Sequence, residues 1–220
     1  MAIVSHKHRV VFFPMAKNCS TSAKHLFYLL DVGMPFRTAK KKYGLWGHVH
    51  KYYPTQTKEE WQQIFDAYES IVIVRDPIKR FLSAYSNRIV HMKVLETVGG
   101  ASARILAAGH PLQPSLEEFV QNLEFYCSVS SYMKNHIAPQ EKIVGDIFPK
   151  IKRVYDTSQV PEFEAFMSER CGSQIVLPRE QSGGPKFTVS DLSERSLGKL
   201  LDFYRKDYKM LSRFYSPPSL

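Results

Sequence analysis

Two short apolar runs, at residues 9–13 and 70–74, constrain the fold of this chain more than any other feature. Valine, isoleucine and phenylalanine follow one another in them without an intervening polar residue, as in strands buried on both faces of a parallel sheet. Each run passes at once into a helical pattern. After the first, Ser20 or Thr21 is expected to cap a helix whose Ala23, Leu26, Phe27 and Leu30 repeat at i, i+3, i+4 and i+7. After the second, Asp76 stands as the cap and Pro77 as the first helical residue, ahead of Phe81, Ala84 and Tyr85. Two strand-loop-helix units predict an α/β fold with a P-loop-like central parallel sheet flanked by helices.

Farther along, Ser115 and Glu118 form a capping box before Leu116, Phe119, Val120 and Leu123, which predicts another helix. Residues 153–155 read as a strand and 161–170 as a helix stopped by Gly172. Residues 197–214 read as one terminal helix with Leu200, Leu201, Tyr204, Tyr208 and Leu211 on its apolar side. The stretch 91–114, with Gly99, Gly100, Gly109 and two prolines, reads as a surface insertion. No repeat or linker divides the 220 residues, and 44% of them are hydrophobic, so a single domain over 1–220 is expected.

Lysine and arginine number 30 against 21 acids, a formal charge of +9, which suits an anionic ligand: nucleic acid, an acidic glycan or a phosphorylated cofactor. Cys19, Cys127 and Cys171 are an odd number without metal spacing, so neither a disulfide framework nor a zinc site is indicated and a reducing compartment is expected. No apolar run approaches the roughly 18 residues of a membrane span. The best leader-like run, 10–16, is interrupted by Pro14 and lacks a small-residue cleavage site after it, so it reads as a strand and a cytoplasmic location is expected.

The loop after the first strand runs Pro14, Met15, Ala16, Lys17, Asn18, Cys19, Ser20, Thr21, Ser22. A lysine followed by small hydroxyl residues where a strand turns into a helix supplies what an anion needs: a point charge, backbone N–H groups and the positive end of the helix dipole. No glycine stands where a Walker A loop requires one. At the end of the second strand Arg75-Asp76-Pro77 is followed by Arg80, Ser83 and Tyr85. Carboxyl ends of parallel strands are where open α/β sheets bind ligands, so Arg75 and Ser83 are placed to hold a second phosphate.

With these two motifs the sequence resembles the sulfotransferases that use 3′-phosphoadenosine 5′-phosphosulfate (PAPS), in particular their carbohydrate O-sulfotransferase branch, the heparan 2-O and chondroitin enzymes. Residues 14–22 resemble that family's 5′-phosphosulfate loop, and Arg75-Asp76-Pro77 with Arg80, Ser83 and Tyr85 resembles its more specific 3′-phosphate motif. Weaker landmarks are similar as well: Gly47-His48, the segment 136–140 (His-Ile-Ala-Pro-Gln), and Leu177-Pro178-Arg179. The sequence departs where Met15 and Ala16 separate Pro14 from Lys17, and where Glu180-Gln181-Ser182 replaces a common asparagine.

The resemblance implies PAPS as sulfate donor, held by Lys17, Asn18, Cys19, Ser20, Thr21, Ser22, Arg75, Ser83, Arg179 and Lys186, with Gly183-Gly184 beside the last of these, and no metal. It implies Lys17 as the stabiliser of the leaving group and His48 as the base, with His50 two residues on in reserve. His136 is expected to shape the cleft. The acceptor is expected to be a glycan or other hydroxyl compound, its anionic groups drawn in by Arg37, Lys40, Lys41, Lys42 and Lys51, although a charge run more often makes a solvated face. Nucleic acid and stable membrane insertion are not expected. Two other readings stay open: a nucleotide-dependent kinase of P-loop type, disfavoured by the missing glycine, and a non-catalytic polyanion-binding protein, which leaves both phosphate motifs unexplained.

Overall fold

A computed structural model describes residues 2–45, 47–97, 100–178 and 183–219. The sheet has four strands in the order β1 (Ile3–Ser5), β2 (Val10–Phe13), β3 (Glu69–Val74) and β4 (Arg153–Asp156). β2, β3 and β4 are parallel, with Phe12 opposite Ile71 and Ile73 opposite Tyr155, while β1 is antiparallel to β2. The expected mostly parallel α/β sheet is therefore present, with one antiparallel edge strand that the sequence pattern did not mark. Among the described residues, no helix is long and apolar enough to cross a membrane.

By contacts the chain divides into two compact units, Met1–Val74 with Asp146–Gln181, and Arg75–Gly145 with Ser182–Leu220. No linker marks the division; its first boundary falls directly after β3. In the first unit helices follow β2: α1 (Ser20–Val32), α2 (Phe36–Tyr43) and α3 (Lys58–Ala67). Val10, Phe12, Ile71 and Ile73 pack with Ala23, Leu26 and Phe27 of α1 and with Phe163 and Met167 of the helix Val160–Cys171. On the opposite pleat Phe13 stacks on Trp61 and Phe65 of α3, with centroids 5.8 and 5.9 Å apart. Burial on both faces explains why these strands carry no polar alternation. Each fully buried Phe, Ile or Leu contributes about 1.5–3 kcal/mol.

The second unit is helical, and its longer part, Arg75–Gly145, belongs to the connection from β3 to β4. It opens with α4 (Pro77–Ala84), which runs on into a π-helical turn, Tyr85–His91. Phe81, Tyr85, Phe119, Tyr126, Leu200 and Tyr204 form its core. The stretch read as a surface insertion over 91–114 instead contains the helices Val94–Thr97 and Ala101–Ala107, whose Val94, Leu95, Ala101 and Ile105 are buried in that core. Glycines at 100 and 109 sit at positive φ at the ends of the second of these helices and shape its turns. The terminal helix is two, Glu194–Phe203 and Arg205–Met210, broken at Tyr204. The ring of Tyr204 is fully buried and its hydroxyl donates to the Ile137 carbonyl at 2.7 Å.

Candidate functional site

In the first unit the residues between β2 and α1 make a tight turn without glycine. Lys17 (φ 68°) and Cys19 (φ 56°) both adopt the left-handed conformation that glycine usually supplies. Holding two non-glycine residues there costs about 1–3 kcal/mol each, and such strain concentrates at ligand sites. Asn18, between them, is fully buried and its Nδ2 donates to the Ile73 carbonyl of β3 at 2.9 Å, pinning the loop to the neighbouring strand. The side chain of Asn18 thus ties the loop to β3.

The expected cap at Ser20 or Thr21 is not formed. Cys19 is the N-cap, with no side-chain capping bond, because the left-handed turn already brings Ser20 into the helix. The first backbone bond of α1 runs from the Ala23 N–H to the Cys19 carbonyl, so the N–H groups of Ser20, Thr21 and Ser22 point toward the loop. α1 also has no acidic residue in its first turn, whereas α3 and α4 are capped by Thr57 and Asp76. A long helix whose start is left without its own side-chain cap, beside a lysine, suits an external anion.

Along α1 the structure brings the histidine segment to the same helix. Val49, in the 3-10 turn Val49–Tyr52, packs with Tyr28 of α1 and with Phe36 and Ala39 of α2. The Tyr53 hydroxyl donates to Asp31 Oδ2 at 2.9 Å. His48 precedes the turn and is exposed, and its ring stacks on that of the half-buried His50, centroids 5.6 Å apart. The pair are brought face to face by this turn. Burial, and after it the positive charges of Lys24, His48 and Lys51, holds the His50 pKa below the ordinary histidine value. Its Nδ1 is buried and accepts or donates no hydrogen bond among the described residues, so an imidazolium there would carry an unsatisfied N–H. Burial likewise lowers the pKa of Lys24, a residue that the sequence reading did not single out.

In the second unit, Asp76 caps α4 as expected, its Oδ1 accepting from the Lys79 N–H at 2.8 Å. Arg75 and Ser83 are half-buried at the start and along one side of that helix. Arg80, which shares the motif, is fully buried: its guanidinium donates to the carbonyls of Ala138 (2.8 Å) and His136 (3.3 Å). Tyr85 is also structural, its hydroxyl donating to the Pro114 carbonyl. His136 bonds back to the Tyr132 carbonyl one turn earlier, at 2.8 Å, and stacks on that ring. Its neighbour Gln140 grips the backbone of Arg75, and the buried Asp207 accepts from the N–H groups of Gln140 and Glu141. Burial raises the Asp207 pKa, opposed by those two N–H groups and by Arg80.

The loop around Lys186 docks on the π-helical turn. Ser86 donates to the Pro185 carbonyl, and Gly184 (φ 95°) lies so close that a Cβ there would stand 2.6 Å from the Ser86 carbonyl oxygen. A Cβ on Gly183 would stand 2.7 Å from His91 Nε2. Gly184 is therefore required by this close approach to backbone, whereas at 183 the His91 ring can shift; Lys186 follows them exposed. Arg179 lies outside the described residues. Ser86, Asn87 and Arg88, buried polar residues of the π-helical turn, had no sequence signal beyond following the motif.

A parallel β-strand, a left-handed loop carrying Lys17 and a helix that starts without a side-chain cap follow one another in an α/β fold. The model of the sulfotransferase family matches residues 1–215, and the chain belongs to that family. Its reaction class is accordingly sulfuryl transfer, with a hydroxyl compound as acceptor. No match to a curated protein or to a solved structure accompanies it.

Proposed function

We propose that the protein transfers a sulfuryl group from PAPS to a hydroxyl of a carbohydrate acceptor. The observation that carries this reading is the loop at 16–19 within a chain matched by the sulfotransferase family: left-handed residues at 17 and 19 lead into α1, which starts without a side-chain cap, with Lys17 two residues before its N-cap. The bound donor supplies an activated sulfuryl group and a leaving phosphate oxygen. The Lys17 ammonium and the N–H groups of Ser20, Thr21 and Ser22 hold the charge that grows on that oxygen. Arg75 and Ser83 take the 3′-phosphate. His50 accepts the acceptor hydroxyl's proton, with His48 stacked on it. Of the two rings, His50 suits the base better, because burial and nearby cations disfavour its charged form.

The carbohydrate acceptor is supported by the resemblance of both motifs to the glycan branch. The cationic side of α2 fits an acidic acceptor: Phe36 and Ala39 bury its apolar side, while Arg37, Lys40, Lys41 and Lys42 are exposed. The test is a melting comparison of adenosine 3′,5′-bisphosphate with ATP. At about 100 times its dissociation constant the bisphosphate adds about 2.7 kcal/mol. For a chain of this length that raises Tm by roughly 5–11 °C. An equal or larger shift with ATP refutes the reading.

A further inference from the structure

The backbone of Arg75 is held at both of its polar groups by one side chain. Its N–H donates to Gln140 Oε1 at 3.2 Å, and its carbonyl accepts from Gln140 Nε2 at 2.8 Å. Gln140 is fully buried, so these bonds act without competition from water. The peptide of Gln140 is fixed in turn by Asp207, fully buried on the C-terminal helix: Oδ2 accepts from the Gln140 N–H and Oδ1 from the Glu141 N–H, both at 2.8 Å. The next residue, Tyr208, donates from its hydroxyl to Asp76 Oδ2 at 3.2 Å, while Asp76 Oδ1 caps α4. Consecutive residues of the helix Arg205–Met210 thus hold consecutive residues of the phosphate motif, Asp207 through Gln140 and Tyr208 directly.

We propose that Gln140, Asp207 and Tyr208 are positioning residues for the 3′-phosphate, setting the direction in which Arg75 leaves the backbone. The proposal rests on the donor reading given above, in which Arg75 meets that phosphate. A guanidinium recognises phosphate through a planar fork, so a small rotation at its Cα removes one of two parallel bonds. A role in stability alone and a role in aiming Arg75 part on one observable. A residue that only supports the fold weakens every ligand of the second unit alike, whereas one that aims Arg75 changes the preference for a nucleotide bearing a 3′-phosphate. Because that phosphate is the same in ground and transition states, its loss enters KM and leaves kcat near wild type.

The experiment is calorimetric titration of adenosine 3′,5′-bisphosphate and of adenosine 5′-monophosphate into wild type, Gln140→Met, Tyr208→Phe and Asp207→Asn, together with donor KM and kcat. Wild type is expected to prefer the bisphosphate by at least about tenfold, as one charge-assisted bond already supplies. Gln140→Met is expected to lower that preference by about tenfold. Affinity for the monophosphate should change less than about twofold, and the donor KM should rise in step with the lost preference. Tyr208→Phe keeps its ring packing and should show a smaller loss of the same kind. If Asp207→Asn does not fold, the other two variants decide. Wild type without preference overturns the donor reading itself and the proposal with it. A wild-type preference that survives in folded Gln140→Met and Tyr208→Phe overturns the proposal alone, as does an equal loss for both nucleotides.

Discussion

Replacing Asn18 tests whether the phosphate loop is held by its own sequence or by the sheet. The residue is fully buried, and its Nδ2 donates to the Ile73 carbonyl at 2.9 Å, crossing from the loop to β3. Asn18→Ala removes that donor and leaves a buried position without it, a cost of about 1–3 kcal/mol. With each kcal/mol worth about 2–4 °C in a chain of this size, Tm is expected to fall by roughly 2–12 °C. The effect on turnover should be larger than this stability loss implies. Lys17 and Cys19 hold left-handed conformations on either side of Asn18, so freeing the tether lets that strain relax and moves the Lys17 ammonium. A misplacement of about 1 Å is enough for a hundredfold loss in rate. Asn18→Asp should be worse on both counts, because its carboxylate would be buried against a carbonyl oxygen, at a cost of about 3–5 kcal/mol. Scanning calorimetry and initial-rate sulfate transfer on the three proteins supply the numbers. An Asn18→Ala protein that melts within about 1 °C of wild type and turns over normally refutes the tether.

Three further outcomes are expected. Lys17→Ala should lose turnover far more than affinity for adenosine 3′,5′-bisphosphate, since its charge acts on the developing leaving-group oxygen; equal losses in rate and binding would make it a positioning residue. The acid limb of kcat/KM should lie below the ordinary histidine pKa of about 6.5, because the base must be neutral and burial with Lys24 and Lys51 disfavours the imidazolium of His50. His50→Asn should abolish that limb and cost about 100- to 10,000-fold in rate; if His48→Asn does so instead, the base is His48. Gly184→Ala should destabilise more than Gly172→Ala, because both sit at positive φ but only a Cβ at 184 meets backbone, 2.6 Å away. Equal melting losses in the two would show that the loop does not dock on the π-helical turn.

What was legible in the sequence is what neighbouring residues decide between themselves. The runs at 9–13 and 70–74 became β2 and β3 because burial on both pleats demands unbroken apolar residues, a demand written along the strand itself. Asp76 with Pro77 and Ser115 with Glu118 formed their caps as expected, since a cap needs only a residue three positions away. For the same reason the positions of Lys17, in the loop after β2, and of Arg75, directly after β3, followed from the pattern. The antiparallel β1 did not, because three residues carry too little period to read. The cap at Ser20 or Thr21 failed because the preceding loop, tied to Ile73 far along the chain, turned left-handed at Cys19.

The tertiary structure decided which motif residues face inward. Arg80 and Tyr85 belong to the same motif as Arg75 and Ser83, yet they are consumed by carbonyls at 136, 138 and 114. It also decided that Gln140, 65 positions after Arg75, holds that residue's backbone, and that Asp207, 132 positions after it, holds Gln140. A buried polar group must find a partner, but nothing local says which, and partners so distant are fixed only when the whole unit has packed. The sequence therefore determined the strands and the caps at Asp76 and Ser115, while the packed unit determined which groups of the motif are buried against the chain's own carbonyls.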